Sequence, residues 1–268
     1  AELKFKFNNK KIGIAEILNF LTDSNYEKRK KSAMAIGLEL KKNINIFTTI
    51  TNNLAKDKSI NDEWRKFSNS VSSRNLSNVV EDEVVEALAE SVKSYYPKLS
   101  HRYYSLKAKW FNKKKLMYWD RNAPLPFQIN KVFDWNEAKD IVLSSYKTFS
   151  EDMYKIGRIF FEKSWIDAGL TKGKHSGAFS ASTIPSIHPY ILLNYQGKLR
   201  DVSTLSHELG HGVHQYLAAK QGLFNSNTPL TLAETASVFG EMLTFKFLLS
   251  KENNVLNKKA LLANKVED

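Results

Sequence analysis

The stretch His207-Glu208-Leu209-Gly210-His211 decides how the rest of this 268-residue chain is read. Two imidazoles stand four residues apart, with a carboxylate directly after the first. On a helix of 3.6 residues per turn, His207 and His211 fall on one face, one turn apart. Both rings then reach a single tetrahedral Zn²⁺, and Glu208 lies beside the open coordination position. A carboxylate placed there accepts a proton from a water whose pKa the metal has lowered.

The flanking residues predict the helix. Val202, Leu205, Leu209, Val213 and Leu217 form an apolar-periodic run, and Asp201 and Ser203 are N-cap candidates before it. Lys220 and Gly222 mark its stop. Gly210 and Gly212 lie inside the run, each costing about 1 kcal/mol relative to Ala. Glycines kept at that cost point to a close approach by another backbone or a ligand.

A zinc site of this kind needs a third protein ligand, expected on a second helix. Leu230 to Leu249, after Thr228-Pro229, reads as that helix; it is apolar nearly all round and is expected to be buried. Glu234, Ser237 and Glu241 line one side of it, at offsets of three and seven. A buried carboxylate must be paired or hold a metal. Glu234 is the expected third ligand, with Glu241 and Ser237 as partners that orient the ligands. Glu241 as the ligand, or a buried ion pair with a lysine, are the alternatives. The zincin pattern with a third His six residues past His211 is excluded, because that position holds Leu217. His214, a turn beyond His211, is placed to hydrogen-bond near the site or to sit as a half-buried helix histidine.

With these residues in view, the chain resembles the M3 metallopeptidases, in their oligoendopeptidase F branch. His-Glu-Leu-Gly-His-x-x-His followed by Glu234-Thr235-Ala236-Ser237 and Glu241 carries the resemblance. Upstream, Trp165-Ile166-Asp167, the Gly173–Phe179 segment, His188-Pro189-Tyr190 through Tyr195, and Asp201-Val202-x-Thr204-Leu205 agree with it. So do Tyr118-Trp119-Asp120 with Ala123-Pro124-Leu125 and, more weakly, Glu27-x-Arg29-Lys30-x-x-x-Ala33 and Arg74-Asn75. The families resembling angiotensin-converting enzyme and Taq carboxypeptidase share the first motif and are the nearest rivals.

The resemblance implies a mainly α, gluzincin-type metallopeptidase fold with a small antiparallel sheet beside the zinc helix. It implies one Zn²⁺ per chain, held by His207, His211 and Glu234, with Glu208 as general base and short unstructured peptides as substrates. A peptidyl-dipeptidase or carboxypeptidase on the same scaffold is the alternative, as is a metal-binding chain without activity. The residues supply their own reason for the sheet. Tyr190–Tyr195 is a compact apolar run bounded by His-Pro and Gln196-Gly197, a strand signal. Gly177, Ala178 and Phe179 are expected to pair with it and to offer backbone groups to a substrate that adds as a strand.

The family's members continue well past the zinc helices, and Ala1 is not an initiator Met. The expectation is therefore a peptidase domain truncated at both ends, with a helical portion over 1–115 and a zinc-site portion over 116–268. Helical periodicity is read near Ile12–Leu21, Tyr26–Asn52, Asp62–Asn69, Glu81–Lys109 and Trp135–Trp165, with a loop over Phe127–Trp135. Glu83, Glu86 and Glu90 with Lys93 read as an exposed helix face.

Composition excludes several classes. With no cysteine, thiol catalysis and disulfides are ruled out, and a serine nucleophile has no Gly-x-Ser-x-Gly motif. No apolar run is long enough to span a membrane. A net charge of +12, with Lys28-Arg29-Lys30-Lys31 and Lys113-Lys114-Lys115, raises nucleic acid as a partner. The lysines are spread among asparagines without a nucleic-acid motif, and the first cluster lies in a helix where a solvated face is the default. The expectation is a cytoplasmic enzyme with peptide substrates, no nucleic acid and no membrane partner.

Overall fold

The computed structural model describes residues 3–127, 131–171, 173–175 and 177–267. Ser176 of the Gly173–Phe179 segment and residues 128–130 of the expected loop lie outside the described residues. The chain divides into two compact units, Ala1–Gln128 and Ile129–Val266.

The first unit opens with a hairpin, β1 (Phe5–Phe7) antiparallel to β2 (Lys10–Ile12), turned by Asn8 and Asn9 at positive φ. Asparagine tolerates that backbone better than most side chains. Helices α1 (Ile14–Asn19), α2 (Tyr26–Lys42), α3 (Ile44–Trp64), α4 (Ser72–Ser77), α5 (Asp82–Tyr95) and α6 (Ser100–Trp110) follow. Asn25 caps α2 by accepting from the Lys28 N–H at 3.0 Å. The expected 26–52 helix is thus broken at Asn43, and α3 continues through the first residues of the expected 62–69 segment. The exposed face of α5 carries Glu90 paired with Lys93 at 2.8 Å, as the charge pattern predicts.

One basic residue departs from the solvated face expected of its cluster. Arg29 is buried, donating to Asp120 Oδ1 at 2.9 Å and to the carbonyls of Asp23, Ser24 and Trp119. Lys113 takes the other Asp120 oxygen at 2.6 Å. This knot ties the short helical turn Tyr118–Asp120 to α2.

The second unit contains the motif. Helices α7 (Trp135–Phe149) and α8 (Glu151–Glu162) begin at side-chain caps: Asp134 accepts from the Glu137 N–H at 2.8 Å and Ser150 from the Met153 N–H at 3.3 Å. A three-stranded sheet follows, with β5 (Tyr190–Leu192) between β3 (Ile166–Asp167) and β4 (Phe179–Ala181). The β4–β5 pair is antiparallel, as expected. The third strand, β3, adds in parallel and makes the sheet mixed. Two residues show no period, so nothing in the sequence marks β3.

Helix α9 (Leu199–Ala218) carries the histidines, and α10 (Leu230–Lys251) and α11 (Val255–Glu267) complete the unit. The start of α9 differs from both N-cap candidates. Asp201 is already its third residue, and its carboxylate reaches back to accept from the Lys198 and Gln196 N–H groups at 2.9 Å each. It satisfies donors at the helix start from inside the first turn. At the other end a 3₁₀ turn over Ala219–Gln221 leads into Gly222 at φ +81°, the stop the sequence predicts.

The core of this unit is Val142, Tyr146, Phe160, Ile191, Val202, Leu205 and Leu209 with their neighbours. Val202, Leu205, Leu209 and Val213 of the apolar-periodic run are buried on α9, whereas Leu217 is exposed. A correction concerns α10. It was expected to be buried all round, yet only Ser237, Gly240, Glu241 and Thr244 are buried, and Leu230, Leu232, Val238 and Phe239 are exposed. The fully buried side of α10 is its small and polar stripe, with Leu243 and Leu248 half-buried against the core. Small residues let two helix axes approach closely, and Ser206, one residue before the first motif histidine, uses that approach. Its hydroxyl donates to Gly240 O at 2.8 Å and meets Thr244 Oγ1 at 2.7 Å. Ser145 Oγ meets the same threonine at 2.8 Å, and Tyr146 OH donates to Ser206 O at 2.6 Å. Every hydroxyl in this buried group has a partner, so it fixes the α7–α9–α10 register without an orphaned polar atom.

Candidate metal centre

The two glycines of α9 show why the helices can come this close. A Cβ on Gly210 would lie 2.7 Å from Ala236 O and 2.9 Å from Ser237 Cα, both backbone atoms of α10. A Cβ on Gly212 would lie 2.7 Å from the Phe160 ring. The close approach expected of these glycines is thus to another helix at Gly210 and to a core ring at Gly212. At Gly210 the neighbour is the turn of α10 that carries Glu234.

That approach brings three side chains to one point. His207 Nε2 lies 3.2 Å from Glu234 Oε2, and His211 Nε2 lies 3.4 Å from the same oxygen. One ligand atom from each of the three residues lies within 4.8 Å of the others, the one such group among the described residues. A tetrahedron with metal–ligand bonds of about 2.0–2.1 Å has edges of roughly 3.3 Å. The two separations from Glu234 Oε2 match that edge, and with the three ligand atoms within 4.8 Å of one another the residues present can hold a tetrahedral cation.

Each group is held from behind. Glu241 Oε2 faces His207 Nδ1 at 3.3 Å, an acceptor for a hydrogen bond from Nδ1 when Nε2 binds a metal. The Ala233 backbone hydrogen-bonds His211. Ser237 Oγ donates to Glu234 Oε2 at 2.7 Å and to Glu234 O at 3.1 Å. That side-chain bond, ahead of the two nearby imidazoles, holds the Glu234 carboxyl below its ordinary pKa. Burial lowers the His211 pKa, which favours the neutral ring a metal requires.

Glu208 is buried beside this point, and burial pushes its pKa up. Glu234 adds to the rise, while His207 and the Ser180 backbone oppose it. A raised pKa brings a carboxyl nearer to both accepting and returning a proton. His214 is half-buried and electrostatically close to His211; among the described residues no hydrogen bond joins it to the site.

The sheet lies against the same helix. Ile191 N–H donates to Trp165 O and Leu193 N–H, just past β5, to Asp167 O, so both face the β3 side. Tyr190 and Leu192 then face β4, where their partners are Ala181 and Phe179. Ser180 turns its backbone groups to the other side, where its carbonyl accepts from Gln215 Nε2 of α9 at 3.2 Å. By the same alternation Ala178 faces the open side and Phe179 pairs into the sheet. Gly177, at φ +91°, has its carbonyl held by Asn194 Nδ2 at 2.8 Å.

Sequence reasoning missed two site contacts. Gln215 has no motif of its own, although its position one turn beyond His211 puts it on the site face of α9. Lys265 on α11 forms an ion pair with Glu241 Oε1, and no spacing rule links it to the motif. The lysine alternative weighed for the α10 carboxylates is therefore present at Glu241, together with its contact to His207.

Among the described residues no helix is long and apolar enough to cross a membrane. The profile of Peptidase family M3 matches residues 19–268. An oligoendopeptidase F homolog of Borreliella burgdorferi is 30% identical over 93% of this chain and 42% of its own length. Oligopeptidase PepF of Bacillus subtilis is 28% identical over 95% of this chain and 38% of its own. The crystal structure of a putative peptidase from Chlamydophila abortus superposes with a TM-score of 0.80 at 25% identity, over 99% of this chain and 45% of that one. The chain thus spans about two fifths of the length of the curated relatives it matches.

Proposed function

The chain belongs to peptidase family M3, in its oligoendopeptidase F branch, and on that premise we propose that it supplies the zinc centre of an endo-oligopeptidase. The reaction is hydrolysis of internal peptide bonds in short, unstructured peptides. The observation that carries this reading is the convergence of His207, His211 and Glu234, with both Nε2 atoms within 3.4 Å of Glu234 Oε2, beside a buried Glu208. His207, His211 and Glu234 would hold one Zn²⁺.

Zinc bound there supplies a Lewis acid for the scissile carbonyl and lowers the pKa of the attacking water. Glu208 accepts that water's proton and returns one to the leaving amine. The burial that raises its pKa narrows the gap between the two protonation states it must visit. Glu241 and Ser237 keep the ligand atoms aimed, so less reorganisation is needed when the metal enters. The peptide adds beside Ala178, on the edge of β4 away from β5, next to the Ser180 groups that α9 already holds. Gly177 permits the turn into that strand, and Phe179 presents an exposed ring beside it.

The test pairs metal content with turnover. The purified chain, dialysed against metal-free buffer, is expected to retain about one zinc, as a three-ligand site implies. Glu208→Gln is expected to keep that zinc and abolish cleavage of a defined peptide by the zinc-loaded enzyme. Loss of zinc in Glu208→Gln would remove Glu208 from the role of base. Mapping the cut position separates endopeptidase from dipeptidyl- or carboxypeptidase action, since only the first cuts at a distance from both ends.

A further inference from the structure

We propose that Lys265, on the last helix of the chain, is a positioning residue of the metal centre, acting on His207 through Glu241. The proposal rests on the zinc reading above. Glu241 is buried on α10 and divides its two oxygens between two partners. Oε1 forms the ion pair with Lys265 Nζ, and Oε2 faces His207 Nδ1 at 3.3 Å. His207 in turn directs Nε2 to the point shared with His211 and Glu234.

The physical argument concerns what Glu241 would do without the lysine. A carboxylate buried with one unpaired oxygen pays the full cost of desolvation there. It lowers that cost by rotating toward water, which removes the acceptor behind His207 Nδ1. The ring is then free to turn away from the point shared with His211 and Glu234. Lys265 prevents this, because it holds Oε1 and so fixes which oxygen turns to the imidazole. On the same helix Ala260, Leu261 and Ala263 are buried. The metal centre is thus built from three helices, with α9 and α10 giving ligands and α11 giving the charge that sets one of them.

The experiment measures the Zn²⁺ affinity of the full chain by competition with a chromophoric chelator, so no turnover is needed. Lys265→Met is expected to weaken zinc binding roughly ten- to a hundred-fold, the usual effect of losing an outer contact of a metal-binding histidine. Lys265→Arg, which keeps the charge and the reach, is expected to recover most of it. In a Glu241→Gln background, Lys265→Met is expected to cause no further loss, because the lysine acts through the carboxylate it no longer meets. A merely structural lysine would weaken binding equally in both backgrounds. Should Lys265→Met lose its helical circular dichroism, Lys265→Gln is measured in its place with the same expectations.

Wild-type affinity in Lys265→Met, or an undiminished loss in the Glu241→Gln background, overturns the proposal and leaves the zinc reading standing. Failure of the wild-type chain to bind zinc overturns both. The two failures are therefore told apart by the wild-type titration alone.

Discussion

Ser180 and Gln215 hold each other by two hydrogen bonds, one from each residue. Ser180 Oγ donates to Gln215 Oε1 at 2.8 Å, and Gln215 Nε2 donates to Ser180 O at 3.2 Å. The pair fastens the open edge of β4 to α9 one turn beyond His211. It also fixes which side of the strand is spent on the protein. Gln215→Ala is expected to raise amide exchange across residues 179–181 about ten-fold, matching the loss of roughly 1–1.5 kcal/mol of hydrogen bonding. Zinc affinity should stay within a few-fold of wild type, since no ligand touches Gln215. Exchange measured by mass spectrometry on the peptide that spans the strand checks this. Unchanged exchange would mean that β5 alone holds β4 in place.

Gly210→Ala tests the close approach of the two motif helices. The added methyl would meet Ala236 O and Ser237 Cα, and a backbone cannot rotate away as a side chain can. The helices must part, at a cost of about 1–3 kcal/mol typical of overpacking. Gly212→Ala would meet the Phe160 ring instead, so its cost falls on the core. The expected distinction is that Gly210→Ala loses stability and zinc affinity together, whereas Gly212→Ala loses mainly stability. Urea unfolding and zinc titration of both variants read the difference.

What the sequence made legible was whatever obeys a local period. His207, His211 and Glu208 follow from helical spacing. Glu234, Ser237 and Glu241 follow from three polar residues on an otherwise apolar helix; Glu234 and Glu241 lie against the imidazoles, and Ser237 bonds Glu234. The residues that escaped are those whose partners are set by tertiary packing. Lys265 reaches Glu241 from another helix, and Ser145, Ser206 and Thr244 meet from three. No periodicity relates such positions. The expectation for α10 failed for a related reason. Apolar content shows that a surface is costly to expose, but it does not say what covers it. In this chain the stripe of Ser237, Gly240 and Thr244 makes the contact, and Leu232 and Val238 face outward.

Ser237→Ala separates orientation of a ligand from supply of one. Ser237 is fully buried and gives its proton to Glu234 Oε2, the oxygen that faces both imidazoles. Alanine keeps the helix and the packing but frees the carboxylate to rotate into solvent, to which Glu234 is already half open. Zinc affinity is expected to fall by roughly ten-fold. Stability without metal should change by only about 1 kcal/mol, the net worth of one hydrogen bond. Chelator competition and thermal melts of the metal-free protein provide the two readings. An unaltered zinc affinity would place Ser237 among the packing residues alone.

Asp120 offers a test of the first unit that is independent of the metal. Its carboxylate is fully buried between Arg29 and Lys113 and also accepts from the Met117 N–H at 3.1 Å. Burial works to raise its pKa, but the bonds to Lys113 and Arg29 together outweigh it, and the group sits below the ordinary carboxylate range. The folded pKa is therefore lower than the unfolded value of about 3.9. The folded state binds the proton less tightly than the unfolded one, so protonation favours unfolding. This contribution is fully present above about pH 4 and is lost as pH falls through the folded value. Asp120→Asn removes the charge at every pH and leaves Arg29 buried without its counter-ion, an expected cost of about 3–5 kcal/mol at neutral pH. Asp23 and Asp82 also have lowered pKa values, so the wild type alone cannot isolate the effect. The quantity to follow is the difference in unfolding free energy between wild type and Asp120→Asn, measured in urea from neutral pH downward. It should stay constant to about pH 4 and then shrink. A difference that holds constant into strong acid would show that the knot is held by shape and neutral hydrogen bonds instead of by charge.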